Sequence, residues 1–165
     1  MFDKFGEMGS AEELNTLAAN LRAEGDFDSI RDLAKENGLE GAFAQAFIDG
    51  ELDFLCDTQT AAFGKIEVEA AKTDLKNCIT EDWVEYIKAE CMRSDEMAAA
   101  VRKKGKDLPG CIAKLLTWSF SNQKKVPPEV VKAAKINGAR VTLGIPNMAQ
   151  AKRIIREYYL GGDTR

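Results

Sequence analysis

The residue types that carry most protein chemistry are thin in this chain. It contains no histidine and four cysteines, Cys56, Cys78, Cys91 and Cys111, with no Cys-x-x-Cys pair among them. Ser-His-Asp and Cys-His nucleophilic arrangements are therefore excluded, and the closely spaced Cys and His ligands of a zinc site are absent. Scattered thiols of this kind are expected to be reduced and mostly buried. Neither G-x-x-x-x-G-K-[ST] nor G-x-G-x-x-G occurs, so no phosphate-cradling nucleotide loop is visible, and Gly144 in the Gly-Ile-Pro-Asn turn is too isolated to replace one. The segment DFDSIRDLAKEN, from Asp26, has the opening acids of a calcium loop. Its sixth residue is Arg31 instead of Gly, however, and its twelfth is Asn37 instead of a bidentate Glu. Carboxylates are plentiful, but they fall on predicted solvent faces and cap positions. No catalytic pair, cofactor or metal is expected, and the chain does not read as an enzyme.

Charge offers a different chemistry. Residues 1–82 hold 19 Asp and Glu against 7 Lys and Arg, a net of −12, whereas residues 83–165 hold 8 against 16, a net of +8. An acidic half repels nucleic acid and suits basic protein surfaces, and a basic half does the reverse. From Met97 to Arg156 there are 13 basic and 2 acidic residues. RKKGK supplies Arg102, Lys103, Lys104 and Lys106, NQKK supplies Lys124 and Lys125, and Lys114, Lys132, Lys135 and Arg140 lie between or after them. Lys152, Arg153 and Arg156 form an arc beside the apolar face of the last helix. Such a surface can track phosphates without choosing sequence, and no base-reading motif stands out. In the acidic half, Asp26, Asp28, Asp32 and Glu36 are spaced to form a patch on one helix.

The elements that must present these charges are helices. Ser10 and Glu13 form a capping-box pattern ahead of Leu14, Leu17, Ala18 and Leu21. Short helices follow over Ser29–Asn37 (Ile30, Leu33 and Ala34 inward) and Glu40–Asp49 (Phe43, Ala46 and Phe47 inward), with Phe2 and Phe5 packed against them. A helix over Asp57–Ala71 is weakened by Gly64. Thr80 caps the next, whose apolar stripe is Trp83, Tyr86, Ile87 and Cys91. Ser94 caps another with Met97, Ala100 and Val101 facing in. Asp107 opens a helix with Pro109 in its first turn, carrying Ile112, Leu115, Leu116 and Phe120. A short helix after Val126-Pro127-Pro128 ends at Asn137-Gly138. Ala139–Ile145 alone has strand-like composition and reads as an extended connector or, at most, a small hairpin. Asn147 and Gln150 fit another capping box, Met148, Ala151, Ile154, Ile155 and Tyr158 share one face, and Gly161-Gly162 closes the helix.

These elements predict an all-α protein: a multi-helix bundle with a small acidic three-helix sub-bundle over residues 1–55 and a main helical domain with a basic surface over residues 56–165. No segment approaches the ~20 apolar residues of a membrane span. The N-terminal MFDKFGEMGS lacks the basic and apolar regions of a signal peptide, so a cytoplasmic location and no membrane partner are expected.

Four stretches, MFDKFGEMGSAEELNTLA, EDWVEYIKAECM, AVRKKGKDLPGCIAKLLTWSFSNQ and VTLGIPNMAQAKRIIREYYLGG, together resemble a family from gut-bacterial mobile elements that includes type II-A anti-CRISPR proteins, inhibitors of Cas9. The K-x-L-x-G-C-I pattern of the third is also similar to small PcfK-like accessory proteins of conjugative elements. The resemblance implies a small non-enzymatic protein of a bacterial host cell that binds Cas9, or its complex with guide RNA, and keeps it from cutting DNA. It assigns no contact residues. The basic half is then expected to meet double-stranded DNA, RNA or an acidic face of the nuclease. The acidic half is expected to mimic DNA against the positively charged duplex channel. The alternative is a nucleic-acid-binding accessory protein of a conjugative or phage element.

Overall fold

Local capping chemistry sets where the helices begin. A computed structural model describes residues 4–73, 78–137 and 140–161. Phe2, Gly138, Ala139 and Gly162, each given a role above, lie outside the described residues. Helix α1 (Ala11–Glu24) starts where the Ser10 hydroxyl accepts from the Glu13 N–H, and the Glu13 carboxylate reaches back to the Gly9 N–H. Helix α2 (Phe27–Glu36) begins two residues before the expected Ser29 because Asp26 is its cap, accepting from the Ser29 N–H at 3.1 Å. Helix α3 (Gly41–Ile48) buries Ala44 and Phe47, while Phe43, expected inside, is exposed.

Helix α4 spans Thr58–Thr73 behind Asp57, which accepts from the Thr60 N–H. The N-cap of α5 (Ile79–Arg93) is Cys78. Thr80, the expected cap, lies inside the first turn with its hydroxyl 2.7 Å from the Cys78 sulfur. Helices α6 (Asp95–Arg102), α7 (Leu108–Ser121) and α9 (Met148–Leu160) start at Ser94, Asp107 and Asn147, and all three side chains accept from the N–H three residues on. Between α7 and α9 the chain forms an arm. Strand β1 (Lys124–Lys125) pairs antiparallel with β2 (Thr142–Leu143), and the six-residue α8 (Pro128–Ala133) sits between them and buries no residue. The small hairpin is thus present, with a helical turn in its connection.

Two apolar clusters form the interior. One gathers α1, α2, α3 and the approach to α4, with Leu14, Ala18, Ile30, Leu33, Phe47 and Leu55 all fully buried. The other gathers α4 to α7 and α9 around Ile66, Trp83, Ile87, Met97, Leu108, Leu115 and Ile155. Helix α4 belongs to both, through Ala61 in the first and Ala62 and Ile66 in the second. Gly64 is what lets it do so. A Cβ there would strike the Asn37 carbonyl, and one on Gly38 would strike Gly64 itself, so the α2–α3 turn lies directly on α4. The cost in helix propensity expected of Gly64 is the condition for this packing. Asn15 adds a polar tie, accepting from the Leu55 and Cys56 N–H groups and donating to the Cys56 carbonyl.

Two apolar stripes end sooner than periodicity suggests. In α7, Ile112 and Leu115 are buried and Trp118 packs against the cluster, but Leu116 and Phe120 lie on the uncovered side of the helix and are exposed. In α9 the inward residues are Ala151, Ile154, Ile155 and Tyr159. Met148 is exposed, and Tyr158 is half-buried with its hydroxyl accepting from the Asp107 N–H. Among the described residues the protein is mostly helical, and no helix is long and apolar enough to cross a membrane.

Candidate partner-binding surface

The charged residues singled out by sequence divide into those that hold the fold and those left to meet something else. Arg102, expected on the basic surface, is instead fully buried. Its guanidinium donates to Asn37 Oδ1 at 2.7 Å and to the Ala61 carbonyl at 3.4 Å, linking α6 to the α2–α3 turn and to α4. A buried Arg is retained when fixed acceptors replace its water. Lys65, on α4, is also fully buried. It donates to Glu7 Oε1 at 2.8 Å and to the Lys103 and Lys106 carbonyls at 3.2 and 3.0 Å. One turn on, Glu69 accepts from the Leu108 N–H at 2.7 Å, and burial pushes its carboxyl up to about 7. The backbone of the 102–108 loop is therefore held from beneath by a Lys and a Glu of α4. No periodicity marked Lys65 or Glu69 as interior. The only sequence signal is their i, i+4 spacing beside a helix stop, and many exposed pairs share it.

The other lysines of this loop are partly occupied. Lys104 pairs with Glu13 at 3.1 Å, and Lys106 donates to the Tyr158 carbonyl at 2.9 Å with its ammonium over the Tyr158 ring. Lys103 is exposed. On α9, Arg153 pairs with Glu157 at 2.9 Å, Arg156 pairs with Glu90 at 2.7 Å, and Lys152 lies over the Tyr86 ring. These exposed pairs bind weakly and can be traded for an external anion.

The acidic patch on α2 is similarly committed. Asp26 is a cap, and the Ser29 hydroxyl and N–H hold its carboxyl below the ordinary value. Asp28 pairs with Arg31, Asp32 pairs with Lys4 at 2.8 Å, and Glu36 accepts the Lys4 N–H.

The arm differs from both. Lys124, Lys125, Lys132, Lys135 and Arg140 are exposed and have no ion-pair partner among the described residues. Lys125, Lys132 and Lys135 line one groove of about 450 Å³, whose walls are Val126, Pro128, Val131, Ile136 and Val141. Lys135 adopts φ +54°, the left-handed conformation usual for glycine at a helix end, while the Ile136 N–H returns to the Val131 carbonyl. Sequence reasoning had Lys132 and Lys135 only as part of a charge total. Their convergence with Lys125 depends on the strand pairing that folds the arm back.

Cysteine chemistry finds no support in the interior. Burial raises the Cys56 thiol to about 11 and those of Cys91 and Cys111 to about 12, and only Cys78 is exposed. Among the described residues no group of three acidic, Cys or His side chains is placed to hold a metal ion. What the surface offers is charge with apolar relief. Comparison with protein-family models, curated proteins and solved structures finds no match for the chain.

Proposed function

We propose that this protein is a non-catalytic inhibitor of Cas9, acting in the cytoplasm of a bacterial host by occupying a surface of the guide-loaded nuclease. The sequence resemblance supplies the partner, and the arm supplies the surface. The carrying observation is that the arm's five cations have no ion-pair partner among the described residues, with three of them in one groove. Lysines so arranged suit a phosphate backbone, such as the guide RNA or target DNA held by the nuclease, and contribute affinity that falls steeply with salt. In this reading residues 56–165 are the phosphate-facing unit. The acidic three-helix unit over residues 1–55 faces the basic channel of Cas9.

The test is plasmid cleavage by guide-loaded Cas9 across a titration of the protein. Protection near stoichiometry is expected, and simultaneous reversal of Lys125, Lys132 and Lys135 to Glu should weaken it at least tenfold with the fold intact. Full cleavage by several Cas9 orthologues at excess protein would overturn the reading. Reversal of Asp26, Asp28 and Asp32 tests DNA mimicry separately. Inhibition that survives it would remove mimicry and leave the arm. The arm also favours a second reading, a mobile-element accessory protein that binds nucleic acid directly. A strong, salt-sensitive mobility shift of plain duplex DNA with no Cas9 complex would select it.

A further inference from the structure

A second groove is walled mostly by residues of the acidic half. It lies where the α2–α3 turn meets α4 and the end of α5, and measures about 580 Å³. Leu39, Phe43, Phe63 and Met92 supply apolar walls, and Gly38 and Gly64 bring the backbones together at its base. Met92 is 59% exposed and Phe43 39%. The charged residues lining it are Glu40 and Asp57, with no cation among them. Residues 36–64 contain six carboxylates and no Lys or Arg. Lys88, whose ammonium lies over the Phe63 ring, is taken up by Glu67 and Glu85.

The opposite half presents the complement. Phe120, 75% exposed on the last turn of α7, follows Leu116 one turn earlier, also exposed. The end of β2 lies against this turn, since a Cβ on Gly144 would meet the Ser119 carbonyl and Gln123. That brings exposed Leu143 and Ile145 into the same region. Lys124 is directly opposite Leu143 in the hairpin, so their side chains share a face. Residues 108–128 hold three lysines and no carboxylate.

A protruding aromatic flanked by cations and a concave apolar site rimmed by carboxylates fit each other. Within one chain neither covers the other, since Phe120 is 75% exposed and Met92 59%. We propose that they meet between chains: the Phe120 knob of one copy seats in the Phe43–Met92 groove of a second copy. Contact of this kind is head-to-tail. It leaves a free knob at one end and a free groove at the other, so it extends into rings or short chains instead of stopping at a symmetric dimer. Opposite charge steers the encounter, and the buried aromatic holds it.

The experiment is sedimentation equilibrium of the full chain from micromolar to several hundred micromolar, at low salt and at high salt. The expected result is a weight-average mass that climbs above the 18.2 kDa monomer with concentration and keeps climbing past the dimer. Roughly 0.5 M salt should shift the curve back at least tenfold in concentration, because screening shortens the reach of the charges to a few ångströms. Phe120→Ser and Met92→Lys, both at exposed positions, should each hold the protein monomeric with unchanged circular dichroism. Mixed together they should form a 1:1 dimer that grows no further, because one retains the groove and the other the knob. A monomer throughout overturns the proposal. So does association that neither variant reduces, or two monomeric variants whose mixture stays monomeric. This outcome is independent of the Cas9 reading, which is scored by plasmid protection.

Discussion

Two lysine-rich segments, RKKGK at 102–106 and the arm from Lys124 to Arg140, have similar composition and opposite fates. The first is drawn into the body. Arg102 is sealed beneath α4 and the α2–α3 turn, its neighbours' carbonyls are held by Lys65, and the next N–H is held by Glu69. The second projects from the body, with α8 burying nothing and five cations facing solvent. The difference lies in the surroundings. The 102–108 loop connects α6 and α7, two helices of the same apolar cluster, so its backbone polar groups must find partners inside the protein. The arm hangs on a two-residue ladder whose residues are all exposed.

That contrast can be broken by mutation, and the largest effect is expected in the buried loop. Arg102→Ala strands the Asn37 side-chain oxygen and opens a cavity between the two clusters. It should cost about 3 kcal/mol, read as a lower urea midpoint. A loss within experimental error would return Arg102 to the surface set.

Glu69 sharpens the comparison through pH. Its ordinary value is 4.5, and burial lifts it to about 7 in the folded chain. The folded state thus holds this proton more tightly than the unfolded state between those values. Its contribution to stability is present in full below pH 4.5, falls as pH rises to 7, and is flat above. Glu69→Gln, which keeps an acceptor for the Leu108 N–H, should remove that slope. Parallel stability–pH curves for the two proteins across the window would contradict it.

A smaller effect of opposite sign is expected at Lys135. Replacing it by Gly relieves a left-handed backbone that glycine adopts freely, and should stabilise by about 1 kcal/mol while weakening phosphate binding. A melting temperature that falls would show that the side chain itself holds the arm. The smallest effect belongs to Lys124→Ala with Lys125→Ala. Exposed and unpaired, they should change stability by less than about 0.5 kcal/mol, with the loss appearing only in the salt dependence of partner binding. A midpoint shift as large as that of Arg102→Ala would erase the distinction between the segments.

Much of the helical framework was legible in advance. Ser10, Ser94, Asp107 and Asn147 each cap the helix predicted to follow, because N-capping is local: one side-chain oxygen and an N–H three residues away. Stripes such as Ile30, Leu33 and Ala34 were legible for the same reason. Phe43, Leu116, Phe120 and Met148 were misplaced because helical periodicity says which residues share a face and not how much of that face the neighbouring helices cover. The candidate surface was legible only as a charge total. Sequence does not distinguish an arginine that a distant asparagine and carbonyl will desolvate from a lysine that nothing covers.

The sequence by itself determined helix positions, the absence of histidine-based chemistry, and the opposition of an acidic and a basic half, since these follow from residue type and spacing along a few turns. Tertiary structure alone decided which charges are structural and which are free. It set Arg102 against Asn37 across 65 residues, closed Gly38 on Gly64, and folded Lys125 back toward Lys132 and Lys135. The physical reason is that the cost of burying a charge, and the worth of leaving it exposed, depend on groups remote in the chain that only packing brings within reach.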